Sequence, residues 1–345
     1  MYSFTLLGMK RKNIKTEQDS HHPLANRNSQ IYKERHRPML IRPYENSDFA
    51  LLTALWNQWL DYDPITRARF LQLFLLDKNF QREGLLVAFH EELFAGFLQV
   101  ITRKEAGDNV GYLTFFGVHP AKRRQGVATA LLEAGMNYLR EQGVEMLSCN
   151  GYAPYYMFPG VDEHYAEANA FLLKQGFEVA GRPVAMGLNL EGVITPKTVR
   201  ERELELDSER YTIRPFRIDD SLPLMKFTET HFPYWEDSIR DGLQHGNYDI
   251  MLATHDGEIV ASAQWQNTLT DPPRGAAGRF GPFGVREDLR NKGVGAVVFY
   301  KMIEYVKERG HRYLWFGWAG GRNLSFYERA GCRITRQFTL YKRKL

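Results

Sequence analysis

Two short stretches of this 345-residue chain pair basic side chains with glycines at a spacing suited to holding an anion. Arg290-Asn-Lys-Gly-Val-Gly295 lies between an apolar-rich run, Arg279 to Val285, and a helical pattern from Val294 to about Arg309. Arg123-Arg-Gln-Gly-Val-Ala128 occupies the same place between Tyr112–Val118 and a helical pattern from Val127 to about Gln142. A helix start leaves backbone N–H groups unpaired, and the macrodipole adds partial positive charge there. Glycine lets the chain turn with φ > 0 and lets a ligand approach with no Cβ in the way. Arginine adds a fork of donors for phosphate oxygens. Both stretches therefore read as diphosphate cradles, built from Arg290, Asn291, Lys292, Gly293, Val294 and Gly295 in one, and Arg123, Arg124, Gln125, Gly126, Val127 and Ala128 in the other. A dinucleotide fingerprint is excluded, because Val298 stands where its third glycine belongs; an ATP-type loop is excluded for want of Gly-Lys-Ser/Thr.

Other residues could move protons. Asp162, Glu163 and His164 form one acid–base cluster; Glu229, His231, Glu236 and Asp237 form another. Asn323 and Tyr327 share a helical face at i, i+4 spacing. His21, His22, His119 and His311 have no metal-ligand spacing. Cys149 and Cys332, one in each half, read as buried small apolar residues, and their separation argues against a disulfide framework and for a reducing cytoplasm.

The elements that must position these residues come twice. Ile41-Arg-Pro-Tyr and Ile213-Arg-Pro-Phe each open a segment that continues into a helical apolar period. They lie 172 residues apart (41 and 213), close to the 167 that separate the two arginines (123 and 290), so the chain reads as a domain-scale duplication. The expected domains are 38–194 and 211–345, joined by a charged linker, 195–210, that suits a helical turn or a solvated strand; residues 1–37 form a polar tail without periodicity, expected to be disordered, with Met9 as an alternative start. Composition is that of a globular protein, 43% hydrophobic and 25% charged. The net charge of +4 is too diffuse for a nucleic-acid binder, and no apolar run approaches the roughly 20 residues that cross a bilayer.

The first stretch extends to Val118-His-Pro120-Ala-Lys-Arg123-Arg-Gln-Gly126-Val-Ala128, and the second to Val285-Arg-Glu287-Asp-Leu-Arg290-Asn-Lys-Gly293-Val-Gly295. This resembles the acyl-CoA-binding motif of the GCN5-related N-acetyltransferases, Val-x-Pro-x-x-Arg/Gln-x-x-Gly-x-Gly/Ala, with Glu287 in place of the proline. The resemblance implies an α/β (α+β) fold of two tandem domains, each a mixed, splayed sheet flanked by helices. It implies acetyl-CoA as cosubstrate and no metal. The strands carrying Val118, and Phe283 with Val285, would offer backbone N–H to the thioester carbonyl, and Asn323 and Tyr327 match the family's last helix, with Tyr327 the acid that protonates the departing thiolate. Asn169 is retained in the first half, but Leu172 stands at the tyrosine position. The expected reaction is therefore acetyl transfer to a primary amine of a small molecule or peptide in the second half, with the first CoA loop occupied or vestigial. The longer Asn150–Tyr165 segment of the first half could line a ligand cleft or plug one and pack the two halves together, the second being the preferred reading. Alternatives are a first-half active site around Asp162 and His164, or a non-catalytic CoA sensor or assembly protein. The implied partners are an amine acceptor, neither nucleic acid nor membrane, with a homodimer left open; the implied location is the cytoplasm.

Overall fold

The repeated Ile-Arg-Pro has a structural reason. Arg42 makes two parallel hydrogen bonds to Asp48, at 2.7 and 2.8 Å, and the same carboxylate accepts the Glu45 N–H at 2.8 Å. Arg214 repeats the fork on Asp220 at 2.7 and 2.8 Å, with the Arg217 N–H at 2.7 Å. In both halves this clamp ties the first strand to the start of the first helix, in the bidentate geometry that arginine and carboxylate favour.

The computed structural model describes residues 39–105, 108–152, 157, 159–246, 248–267 and 277–345. The expected tail, 1–37, lies outside these, as do Tyr155, Tyr156 and Phe158 of the inserted segment. The first half runs β1 (Leu40–Pro43), α1 (Phe49–Trp59), α2 (Arg67–Phe70), β2 (Leu85–His90), β3 (Leu93–Glu105), β4 (Asp108–Val118), α3 (Val127–Glu141), β5 (Met146–Cys149), β6 (Val161–Asp162), α4 (Ala166–Lys174), β7 (Glu178–Gly181) and β8 (Val184–Asn189). The charged linker is a helix, α5 (Lys197–Ser208), which buries Leu206. The second half runs β9 (Tyr211–Pro215), α6 (Ser221–His231), α7 (Glu236–His245), β10 (Tyr248–His255), β11 (Glu258–Asn267), β12 (Ala277–Val285), α8 (Val294–Glu308), β13 (Tyr313–Ala319), α9 (Arg322–Arg329) and β14 (Arg333–Lys344).

Each half has the expected mixed sheet flanked by helices, and the two sheets fuse in the order β1-β2-β3-β4-β5-β14-β8-β13-β12-β11-β10-β9. The fusion is an exchange. β8, from the first half, pairs with β13 of the second (Leu188 opposite Leu314) and with β14 (Met186 opposite Ile334). β14, from the second half, continues to pair with β5 (Tyr341 opposite Cys149) and β7 of the first. β8 reads Val-Ala-Met-Gly-Leu-Asn and is buried along all but its last residue, so it needs a strand on each edge and a core on each face. Met186 and Leu188 fill the core beneath α8, while Tyr341 of β14 fills the core beneath α3.

Both halves open in the same way. β4 and β5 pair in parallel only from Val110–Leu113 to Met146–Cys149, and then diverge. β12 and β13 pair only over Ala277–Arg279 and Tyr313–Trp315. Each divergence leaves a V-shaped gap above the start of the helix that follows.

Because each half lends the other a central strand, residues 38–194 expressed alone are expected to lack a cooperative unfolding transition, and to regain one when mixed with 195–345. Met186→Ala in the full chain is expected to cost about 2–5 kcal/mol, as for other fully buried large-to-small changes; a chemical-denaturation curve checks both, and a well-folded 38–194 fragment would contradict the exchange.

Candidate active site

The two loops share one backbone shape. Arg124 and Gly126 are left-handed (φ 62° and 86°), and so are Asn291 and Gly293 (φ 63° and 82°). Alternation of left-handed residues before a helix turns successive N–H groups toward one point, which is an anion nest. Gly126 and Gly293 are the helix caps, without a side chain to satisfy the first amides. Arg123 and Arg290 lean back the same way, onto the carbonyls of Val118 (3.4 Å) and Val285 (3.3 Å).

Their surroundings differ. A Cβ on Gly126 would meet nothing within 4 Å, so the space above the first nest is open. A Cβ on Gly293 would lie 2.7 Å from Cγ of Arg202, which reaches over from α5. Arg202 donates Nε–H to the Lys292 carbonyl at 2.9 Å, and its guanidinium is taken up by Glu205 (2.9 Å) and Glu209 (2.7 Å). The second nest is thus capped by a side chain whose charge is already balanced, with two carboxylates beside it that would repel a phosphate.

A cleft of about 800 Å³ fills the first V. It runs from Arg123, Arg124, Gly126, Val127 and Ala128 past Phe116, Gly117 and Val118 to Asn150, Asp162, His164 and Tyr165. At its far end His164 Nδ1 lies 2.6 Å from Asp162 Oδ1, and Asp162 also accepts the His164 backbone N–H at 2.9 Å. Asp162 is almost fully buried while the His164 side chain is half exposed. Burial alone would raise the Asp162 carboxyl; the His164 amide and ring and the Arg336 guanidinium outweigh it and hold it below the usual carboxylate range. The His164 ring stacks on Tyr62 at 4.4 Å, and the Tyr165 hydroxyl accepts the Tyr62 N–H at 3.2 Å. Burial first, then Asp63, pushes the Tyr165 phenol up, so Tyr165 keeps its proton and donates it to the Asp63 carboxylate. Gln125 is outside the cleft lining and bonds the Ala121 carbonyl at 2.9 Å. The inserted segment meets the other half through β6, where Val161 lies opposite Thr339 of β14, and Asp162, His164 and Tyr165 line the cleft; Tyr152 is buried within the first half on Asp77 (2.8 Å).

The second V holds a separate cavity of about 530 Å³, lined by Phe283, Asn323 and Tyr327 but by none of Arg290 to Gly295. Tyr327 is buried, with rings of Phe316 (4.4 Å), Phe326 (5.1 Å) and Phe299 (5.9 Å) around it, and burial pushes its phenol up. Val285 packs beside the core there and Val294 is fully buried. Pro282 occupies the position of Phe115 and has no N–H to offer a carbonyl. Of the second-half candidate bases, Glu236 is bound to Arg240 (2.6 Å) and Asp237 to Lys78 (2.6 Å), while Glu229 and His231 are exposed on α6. Cys149 and Cys332 are buried, and burial pushes both thiols up to about 12, which leaves no thiolate for nucleophilic work.

The family model for the acetyltransferase (GNAT) family matches residues 49–177 and again 214–332. The chain belongs to the GNAT acetyltransferase family. Among solved structures it is similar to the GCN5-related glucosamine N-acetyltransferase region of a fungal multi-domain GH3 β-N-acetylglucosaminidase, at TM-score 0.79 and 22% identity, covering 89% of this chain and 38% of that one. The chain thus spans well under half of that protein. It is also similar to a GCN5-related N-acetyltransferase from Sphaerobacter thermophilus (TM-score 0.64, 16% identity, 89% and 95% covered) and to a tandem GNAT protein from the clavulanic acid biosynthesis pathway (0.61, 15%, 89% and 98%). A comparison with curated proteins finds no match. Among the described residues no helix is long and apolar enough to cross a membrane, and no group of three His, Cys, Asp or Glu could hold a metal.

Within this GNAT pair, four residues of the two sites escaped the sequence reading. Tyr62 and Asp63 sit in the loop between α1 and α2, a stretch with no motif of its own. Arg202 lies in a charge-rich stretch that reads as solvated. Arg336 reaches Asp63 across 273 residues of sequence, a separation no local pattern spans. Calorimetry with coenzyme A is expected to give one site per chain. Gly126→Glu, which fills the nest at a left-handed position, is expected to lower that affinity by about tenfold or more; Arg290→Ala is expected to leave it within about twofold, and equal losses in both variants would show two occupied nests.

Proposed function

We propose that the protein is an acetyl-CoA-dependent N-acetyltransferase whose chemistry takes place in the first-half cleft, on the amine of a small hydroxylated acceptor such as an amino sugar. The carrying observation is the contrast between an open nest continuous with a cleft that ends in an Asp162–His164 pair, and a second nest covered by Arg202. Acetyl-CoA would supply the acyl group as a thioester. The nest at Arg124 to Ala128 has the donors and the space for its diphosphate. β4 loses its β5 partner beyond Leu113, so its open edge presents backbone amides where the acyl carbonyl would lie.

An alkylamine is mostly ammonium at neutral pH and must lose a proton before it can attack. Asp162 fixes His164 by its Nδ1, which leaves Nε2 to take that proton from a group in the cleft. In the balanced reaction the nitrogen–carbon bond forms, the carbon–sulfur bond breaks, and His164 holds the proton that the thiolate recovers on release. Leu172 at the position of the family tyrosine supplies no acid at that position, so a proton returned from His164 or from water serves instead. The acceptor class rests on the far end of the cleft, which Asp61 and Asp162 line together with the Tyr62–His164 stack. Carboxylates attract an ammonium and accept from hydroxyls, and an aromatic face suits the C–H side of a sugar ring. The similarity to a glucosamine N-acetyltransferase region points the same way.

Acceptor-dependent thiol release with an amine panel tests this. His164→Gln is expected to lower kcat by about 10²- to 10⁴-fold, whereas Tyr327→Phe is expected to leave it within about twofold. Loss of activity in Tyr327→Phe alone would return the chemistry to the second half. A rise in melting temperature with coenzyme A but no thiol release would leave the protein a binder.

A further inference from the structure

The carboxylates of the first-half site are held by a residue of the other half. Arg336 lies on β14, the strand the second half lends, and its Nη1 is 2.6 Å from Asp63 and its Nε 2.5 Å from Asp162. Asp63 is itself fixed, its backbone carbonyl accepting the Trp56 indole N–H at 2.6 Å and its side chain accepting the Tyr165 hydroxyl. A chain of contacts results: Tyr165, Asp63, Arg336, Asp162, His164. The first half offers no such group in return, because the position matching Arg336 falls on β7. After the Gly176 and Gly331 turns that precede β7 and β14, the position matching Arg336 is Gly181.

We infer that Arg336 is a positioning residue of the N-terminal active site, supplied in trans by the C-terminal half, and that it keeps Asp162 ionised so that His164 stays aimed as base. This rests on the reading of His164 as the base. The groups that face Asp162 are His164 and Tyr165 from its own segment, Arg336 from β14, and Asp63 through that arginine. Asp162 is depressed in the folded site, so its ionised form persists as pH falls until its lowered value is reached. Without the guanidinium, burial acts with less opposition and the carboxyl takes a proton at higher pH. The imidazole then loses its acceptor, and the acid limb of the rate profile moves upward.

The test uses the full chain, with glucosamine and acetyl-CoA as probes, and Arg336→Lys and Arg336→Met as variants. Arg336→Met is expected to lower kcat by about tenfold or more at neutral pH and to move the acid limb up by about one unit or more. Acetyl-CoA affinity is expected to stay within about twofold, since Arg336 does not line the nest. Arg336→Lys keeps the charge but loses the fork, and is expected to fall between the two in both readouts. Should Arg336→Met fail to fold, Arg336→Lys with a native circular dichroism spectrum decides. An acid limb in the wild-type position in a folded variant overturns the inference, given a wild type that transfers acetyl and a His164→Gln variant that does not. If instead His164→Gln retains activity, it is the assignment of the base that fails.

Discussion

The molecule depends on β8 and β14 each lying in the other repeat's sheet. A strand buried on both faces cannot stand at an edge, because its unpaired amides would meet no water. Val184 to Leu188 meet that demand by sitting between β14 and β13, and β14 meets it by running on to β5 and β7. Neither half then has a complete sheet of its own, and the hydrophobic cores inherit the exchange: Met186 and Leu188 lie under α8, and Tyr341 lies under α3. Tyr341 also donates to Asn169 at 2.9 Å, and Asn169 in turn holds the carbonyls of Asp162 and Tyr165. The borrowed strand thus shapes the turn that carries His164, besides bringing Arg336 to it.

Duplication kept the backbone of the two nests and let their surroundings diverge. The left-handed pairs at 124 and 126 and at 291 and 293 agree within a few degrees, yet one opens into a cleft and the other lies under α5. The second repeat has lost more than access. Pro282 removes an amide from the open edge of β12, and Gly281 stands where Thr114 donates to buried Gln99 at 2.7 Å, so that Gln264, the counterpart of Gln99, is buried with its amide unpaired. Pro282 withdraws a backbone donor from that edge, while the sheet and α8 persist around β8. On the function proposed above, the second acyltransferase fold would serve as a scaffold for the first.

Much of this was legible in the residues. The offsets of 172 and 167 residues, the helix starts at Val127 and Val294, and the nests before them all follow from local chemistry, because amide satisfaction and glycine's conformational freedom act within a few residues. The exchange does not, since which sheet a terminal strand joins is decided by faces and edges far away in sequence. The reading of the second half as the reactive one came from Tyr327 at a family position. A tyrosine and its neighbours in sequence do not reveal that Phe316, Phe299 and Phe326 enclose the ring, or that Arg202 lies over the adjoining nest. Asp162 and His164 were visible as an acid and a base, but their third partner enters from residue 336.

The Asp63–Arg336–Asp162 triad is also hard to explain by stability. Asp63 and Asp162 are buried and Arg336 partly so; taking such charges out of water costs several kcal/mol per ion, and buried ion pairs can often be replaced by apolar side chains with no loss. The structure does not spread this cost over a large network, since Nη2 of Arg336 is buried without a hydrogen bond in the chain. An apolar residue at 336 would pack against Phe338 with less desolvation. What an apolar residue could not do is hold two carboxylates apart, ionised, and in fixed orientation beneath an imidazole that opens onto a cleft. The triad makes physical sense where fixed charge is itself the requirement, and a site that must strip a proton from an ammonium has that requirement.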